Sequence, residues 1–230
     1  MFSKLLAFIC MSLALGNFSW QAASSDISLG GNLFLVNRTY TLDSAYVPDD
    51  LVKPSVLLTN EDIKMKKEAA EALKELFDAA ENEQGYILHA VSGYRSYYTQ
   101  KAIFNRKIDR VGSAARAQKY VAPPGTSEHQ LGLAMDIGTP KKAGLTSAFG
   151  DTDEGKWVNE NAHRFGYIIR YKKGWEDITG YSYEPWHIRY VGKEHAQNIF
   201  ERDIPLEYYI EELTREKLSS SPKLLEVLAQ

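Results

Sequence analysis

Two spacings of hydrophobic residues divide this chain into predicted helices and predicted strands. In TNEDIKMKKEAAEALKELFDAAENEQG the apolar positions recur every three or four residues, which is typical of an amphipathic helix. We expect Thr59 or Asn60 to cap this helix and Gly85 to end it. Its apolar stripe consists of Ile63, Ala70, Leu73, Leu76 and Phe77. The next segment, YILHAVSG, has the composition of a strand.

The same two patterns continue through the rest of the chain. Helical spacing occurs in YYTQKAIFNRKIDRVG, SAARAQKYV, residues 154–164, KEHAQNIFER and PLEYYIEELTREKL, and strand composition occurs in LAMDI, GYIIRY and WHIRYVG. The sequence contains no internal repeat, low-complexity tract or linker. It therefore predicts a single α+β domain with a small, mainly antiparallel sheet flanked by helices.

The two ends of the chain differ from this central pattern. MFSKLLAFICMSLALG places one lysine before an apolar run that is shorter than the roughly 20 residues needed to span a bilayer. With the small residues that follow, it predicts a secretory signal peptide over residues 1–24. The only cysteine, Cys10, lies in this segment, so the mature chain would have none. We expect an extended arm over residues 25–54, the folded domain over 55–217 and a loosely ordered tail over 218–230.

Composition narrows the class of ligand. Hydrophobic residues make up 44% of the chain and charged residues 25%, as in an ordinary globular domain. The net charge is −3 at pH 7. A nucleic acid is therefore not expected as a partner, because its phosphates bind best to a basic face.

The segment SEHQLGLAMDIG contains the first candidate site residues, His129 and Asp136. In an unbroken strand these two positions would lie on opposite faces, so both can reach one ion only if the chain turns between them. Gly132 permits such a turn. Leu133, Met135 and Ile137 would then face the core, and Asp136 would face a cleft. The alternative is a polar loop followed by an unrelated aspartate that faces solvent.

The segment GYSYEPWHIRY adds Glu184 and His187. Pro185 argues against a helix here, and a kink at this proline would allow both side chains to approach one cleft. Two imidazoles and one carboxylate are a familiar ligand set for catalytic zinc, which keeps a fourth position for water. Glu184 would then be the nearby base that does not bind the metal.

A third segment, SGYRS, places Arg95 at a predicted strand-to-helix junction. A guanidinium there could bind a substrate carboxylate or stabilise a developing oxyanion. An arginine in such a turn is, taken alone, more often solvated or paired in a salt bridge.

SGYRS, SEHQLGLAMDIG and EPWHIRY together, in this order, resemble the VanY-type D-alanyl-D-alanine carboxypeptidases, M15 zinc peptidases that trim bacterial peptidoglycan. The resemblance covers about residues 51–192. It implies one Zn²⁺ per chain, with His129, Asp136 and His187 as ligands and Glu184 as general base. Arg95 would hold the substrate or polarise the scissile carbonyl. Further residues that the resemblance associates with substrate binding are Gln100 and Ser127. The aromatic ring of Trp186 would line the cleft and bind substrate, or would pack in the core.

The implied function is that of a secreted enzyme of the bacterial cell envelope that removes the C-terminal D-alanine from peptidoglycan stem peptides. The motifs leave open an L,D-carboxypeptidase, a D-Ala-D-Ala dipeptidase and a peptidoglycan endopeptidase, because pocket walls set specificity in such sites. A non-catalytic wall-binding module and another divalent metal are further alternatives. We expect a monomer without a stable protein partner.

Overall fold

The computed structural model describes residues 27–140 and 145–219. The predicted signal segment and residues 220–230 of the predicted tail lie outside this range. The strands are β1 (Leu51–Val52), β2 (Met65–Lys66), β3 (His89–Ser92), β4 (Ala134–Gly138), β5 (Tyr167–Tyr171) and β6 (Glu184–Tyr190). The helices are α1 (Lys67–Gln84), α2 (Tyr97–Val111), α3 (Ala114–Ala117), α4 (Asp153–Asn161), α5 (Glu176–Thr179), α6 (Lys193–Arg202) and α7 (Leu206–Ser219). Over the described ranges, no helix combines the length and apolar character that a membrane span requires.

A four-stranded sheet forms the centre of the molecule. Its order is β3-β4-β6-β5, and every neighbouring pair is antiparallel. Strands β1 and β2 form a separate antiparallel pair. The helices surround these sheets, so the predicted α+β fold with a small antiparallel sheet is confirmed.

The two faces of the sheet contact different groups of apolar residues. Leu133, Met135 and Ile137 belong to the larger core, which also contains the buried stripe of α1, as their alternation predicted. A second, smaller core joins β5 and the residue after β6 to the last two helices; it consists of Leu33, Ile168, Val191, Ala196, Ile199, Leu206, Tyr209 and Ile210. Helix α7 therefore packs on the sheet instead of extending away from it.

The start of the first long helix differs from the sequence prediction. Neither Thr59 nor Asn60 caps it, because the helix begins at Lys67. Asn60 instead accepts a hydrogen bond from the backbone N–H of Asp62 in a local turn. The following residues pair with β1, and Met65 is fully buried in this extended segment. The end of the helix was predicted correctly, since Gly85 has a left-handed conformation with φ 71°.

Residues 27–54 lie along the folded domain and are anchored to it at several points. Leu33, Val36 and Leu42 are buried. The side chain of Gln130 donates hydrogen bonds to the carbonyl oxygens of Asp43 and Tyr46. This part of the arm is thus held by core packing and by buried polar contacts, whereas its exact boundary with the domain remains a prediction.

Candidate active site

Neighbouring strands and one tight turn bring the predicted site residues together. Asp136 on β4 and His187 on β6 are direct partners in the antiparallel register. His129 lies in a short 3-10 helix that ends at Gly132, whose left-handed conformation (φ 71°) turns the chain into β4. The Nδ1 atom of His129 lies 2.7 Å from the carbonyl oxygen of Gly93, just after β3. The turn predicted at Gly132 is therefore present.

The three side chains form one buried cluster with the dimensions of a metal site. Nε2 of His129 is 3.3 Å from Oδ2 of Asp136, and Nδ1 of His187 is 2.9 Å from Oδ1. The potential ligand atoms all lie within 4.8 Å of one another. Ligands at about 2.0–2.1 Å from a tetrahedral zinc ion lie roughly 3.4 Å apart, so only small movements are needed. The spacing of these side chains therefore fits a metal ion.

A second observation supports this fit. Nε2 of His129 is buried and makes no hydrogen bond of acceptable geometry in the part of the chain that the structure describes, although Oδ2 of Asp136 lies 3.3 Å away. A buried polar atom without a partner is unfavourable, and a metal ion would satisfy it. Asp136 is only 3% exposed, which is incompatible with the alternative of an aspartate that faces solvent.

The two histidines differ in protonation. Burial, with the positive charge of Arg95, lowers the pKa of His129 to about 4. Burial would also lower the pKa of His187, but hydrogen bonds to Asp136 and Glu128 outweigh it and raise this pKa to about 9. For Asp136, the histidines and Arg95 outweigh burial and hold the pKa well below its usual range. At neutral pH the metal-free cluster therefore contains one protonated histidine, His187.

We expect zinc uptake at pH 7 to release about one proton per chain, because His187 must lose the proton on Nδ1 before it binds a metal. His129 is already neutral and contributes none. Apparent affinity should rise by up to about tenfold per pH unit and level off above a pH of about 9. Calorimetric titrations in buffers of different ionisation enthalpy measure this release. An enthalpy that does not change with the buffer would contradict the assignment.

An irregularity in β6 positions the candidate base. Ile188 pairs with Ile169, but Glu184 pairs with Tyr171, so β6 contains two more residues than β5 between these pairs. The extra residues lie between Glu184 and Ile188, in a stretch that includes Pro185. This irregularity falls where a kink at Pro185 was predicted, and Glu184 lies within electrostatic reach of His187 and Asp136.

The environment of Glu184 suits a group that exchanges protons. Its carboxylate is close enough to His187, Asp136 and Arg95 for their charges to influence it. Burial is the dominant influence and raises the pKa of Glu184 to about 7. A general base is most effective when its pKa lies near the working pH. A cation bound at the neighbouring cluster would favour the ionised form that accepts a proton.

Arg95 is fixed beside the cluster by two side chains. Nη2 donates to Oδ2 of Asp136 at 3.0 Å, and Nη1 donates to Oε1 of Gln100 at 2.9 Å. Gln100 is itself buried and donates to the carbonyl oxygen of Ala122 at 2.7 Å. Nε of Arg95 has no partner within the described ranges. Gln100, predicted to contact the substrate, is thus placed to hold Arg95, and Arg95 retains a free donor.

The remaining two predicted substrate residues have different surroundings. Ser127 is buried immediately before the 3-10 helix that carries His129. Trp186 is partly buried and packs against the larger hydrophobic core. This contact agrees with the core-packing alternative, and a role of Trp186 in substrate binding stays a prediction.

Sequence reasoning missed a buried ionic cluster behind His187. Glu128 is 1% exposed, and its Oε2 lies 3.3 Å from Nε2 of His187. Its Oε1 accepts hydrogen bonds from Arg170 at 2.8 Å and from Arg189 at 2.9 Å. The sequence did contain one indication of this cluster: both arginines have apolar neighbours in strands, and a charge that is buried there requires a partner. The partner could not be inferred from local sequence.

A buried cluster of two imidazoles and a carboxylate, flanked by an arginine and by a carboxyl group with a raised pKa, is typical of metal-dependent hydrolases. Residues 62–193 match the family model described as VanY: D-alanyl-D-alanine carboxypeptidase. The match includes more than half of the chain, which therefore belongs to the VanY family of carboxypeptidases.

Individual relatives agree with this family. YodJ of Bacillus subtilis (strain 168) is 52% identical over 188 residues, which are 80% of this chain and 68% of YodJ. The structure of the LdcB LD-carboxypeptidase, also 52% identical, superimposes with a TM-score of 0.72 over 77% of this chain and 84% of LdcB. The D,D-pentapeptidase VanY from a VanB-type vancomycin-resistance cassette, solved as a mutant in complex with Zn(II), is 36% identical. Its TM-score is 0.66 over 78% of this chain and 98% of that chain.

Proposed function

We propose that this protein is a zinc carboxypeptidase that releases the terminal D-alanine from peptidoglycan stem peptides. The observation that carries this proposal is the buried cluster of His129, Asp136 and His187, with an unpartnered Nε2 atom and with Glu184 beside it. Zinc is supported by this donor set and by the Zn(II) complex of the related VanY. A zinc ion bound there would supply Lewis-acid chemistry, with positive charge that polarises a carbonyl and acidifies water.

The residues of the chain have separate tasks in this proposal. Glu184 accepts a proton from the attacking water and later donates it to the leaving amine, for which a pKa of about 7 is suitable. Arg95, held by Asp136 and Gln100, offers its guanidinium group to an oxygen of the substrate. Fixed donors require little rearrangement during the reaction, so they stabilise charge as it develops.

An L,D-carboxypeptidase is the second candidate, and a specific observation favours it. Identity to the LdcB LD-carboxypeptidase is 52%, compared with 36% to the VanY D,D-pentapeptidase. The description of the matching family model instead favours cleavage between two D-alanines. Both enzymes would use the same cluster and base, and the pocket walls would decide which peptide is cleaved.

Defined muropeptides separate these candidates. The mature protein should release free D-alanine from a pentapeptide if it is a D,D-carboxypeptidase, or from a tetrapeptide if it is an L,D-carboxypeptidase. A chelator should abolish release, and added zinc should restore it. Release of the D-Ala-D-Ala dipeptide, or cleavage of an internal bond, would move the assignment to a dipeptidase or an endopeptidase. Zinc binding without cleavage of any of these peptides would support a binding module.

Export to the cell envelope is part of the same proposal. Its support is the apolar N-terminal segment of the sequence and the location of peptidoglycan outside the cytoplasmic membrane. Detection of the processed protein in the culture medium or the wall fraction would support export. Retention of the unprocessed chain in the cytoplasm would contradict it.

A further inference from the structure

Glu128 is a buried carboxylate for which the proposed reaction has no use. It is neither one of the three candidate ligands nor the base. Its Oε2 nevertheless faces Nε2 of His187 at 3.3 Å, on the side of the imidazole ring opposite Nδ1. If the N–H group of His187 is on Nε2 and points to Glu128, the lone pair of Nδ1 points to the candidate metal site. Glu128 is thus placed to determine which nitrogen of His187 can bind a metal.

Arg170 connects this carboxylate to the C-terminal helix. Its Nε donates to Glu128 at 2.8 Å, and its Nη1 and Nη2 donate to Glu207 at 2.9 and 2.5 Å. Arg170 is 1% exposed, so these contacts are shielded from solvent. Glu207 belongs to the first turn of α7, beyond residues 62–193 that match the family model.

Arg189 completes the surroundings of Glu128. Its Nη1 donates to Glu128 at 2.9 Å, while its other donors bind the carbonyl oxygens of Tyr190, Asn32 and Phe34. Every nitrogen of this guanidinium is therefore engaged. Two arginines hold one carboxylate from fixed positions, which leaves Oε2 directed to His187.

Stability alone does not account for this arrangement. Buried ion pairs lose most of their mutual attraction to desolvation, and apolar residues of similar volume often stabilise a protein equally well. Carboxylates that bind the far nitrogen of a metal-ligating histidine have a well-defined effect instead: they fix its tautomer and orientation and increase its basicity.

We propose that Glu128 is a positioning residue for His187, and that Glu207 on α7 holds Glu128 in place through Arg170. The C-terminal helix is then part of the support of the metal site. This inference rests on the proposed function, because it requires His187 to be a metal ligand.

The test compares metal binding by the full mature chain and its variants. Zn²⁺ affinity is measured by competition with a chromophoric chelator, and the visible absorption of the Co²⁺ form reports ligand geometry. Glu128→Gln should lower Zn²⁺ affinity by about 10- to 100-fold and alter the Co²⁺ spectrum. Glu207→Gln should act in the same direction with a smaller effect, less than about tenfold. The matched control is Glu211→Gln on the same helix, which removes only a more exposed pair with Arg215.

Each outcome has a distinct meaning. Wild-type affinity and an unchanged Co²⁺ spectrum in Glu128→Gln would overturn the inference while the proposed function stands. If Glu128→Gln does not fold, Glu207→Gln decides, and a result equal to that of Glu211→Gln would overturn the inference. A lower unfolding temperature of the metal-free variants with an unchanged Co²⁺ spectrum would indicate a purely structural role and also overturn it. A wild-type chain that binds no Zn²⁺ would contradict the proposed function itself.

Discussion

Glu184→Gln should lower kcat by about 10²- to 10⁴-fold while the protein retains its zinc. The amide has nearly the same shape as the carboxylate, but it cannot accept a proton from water at any pH near neutrality. Glu184 lies beside the cluster without being one of the three clustered ligand side chains, so metal content should not change. Release of D-alanine from the preferred muropeptide and zinc content by elemental analysis are the two measurements.

The control for this substitution is Glu160→Gln, which changes an exposed glutamate on α4. It should retain wild-type activity. Full turnover in Glu184→Gln would show that another group accepts the proton, and loss of zinc would show that Glu184 is a ligand. In the wild-type enzyme, kcat/KM should fall as the pH decreases through the pKa of Glu184. This pKa is about 7 before the effect of a bound cation, which would move the decline to lower pH.

His129→Ala should abolish stoichiometric zinc binding and lower activity by at least about 10³-fold, since two ligands cannot hold a catalytic zinc ion firmly. In the metal-free protein the cost should be small. The substitution removes the 2.7 Å contact of His129 with Gly93, which costs about 1–2 kcal/mol, and removal of the Nε2 atom without a partner offsets part of this cost. Zinc per chain after dialysis and thermal unfolding of the metal-free forms test these two expectations.

His163→Ala provides the matched control for the ligand substitution. His163 is stacked on Phe200 at 3.8 Å between ring centroids and is not one of the clustered ligands. Its variant should retain one zinc per chain and full activity, although it loses packing. Equal zinc content in His129→Ala and His163→Ala would contradict the assignment of His129 as a ligand.

Local patterns in the sequence were sufficient for several features of the fold and site. Period-two alternation correctly separated Leu133, Met135 and Ile137 from Asp136, because a strand directs successive side chains to opposite faces. Gly132 was recognised as a turn because its left-handed conformation is favourable chiefly for glycine. Pro185 indicated the kink in β6 for a similarly local reason. The three candidate ligands and Glu184 were therefore accessible from sequence.

Local signals failed where a distant segment competed with them. Thr59 and Asn60 resemble helix caps, but pairing of β2 with β1 keeps the chain extended until Lys67. The deciding contact here comes from a part of the chain that the local pattern does not include.

The sequence by itself thus determined the fold class, the three candidate metal ligands and the candidate base, because backbone geometry, period and turn chemistry act over a few residues. Only the tertiary structure decided how these residues are held. Glu128 and Glu207 bind Arg170, and Gln100 holds Arg95, through contacts that the folded chain alone creates. The protonation of His187 likewise depends on two carboxylates from other segments. Such electrostatic effects depend on distances and burial in the folded protein, which the spacing of residues along the sequence does not reveal.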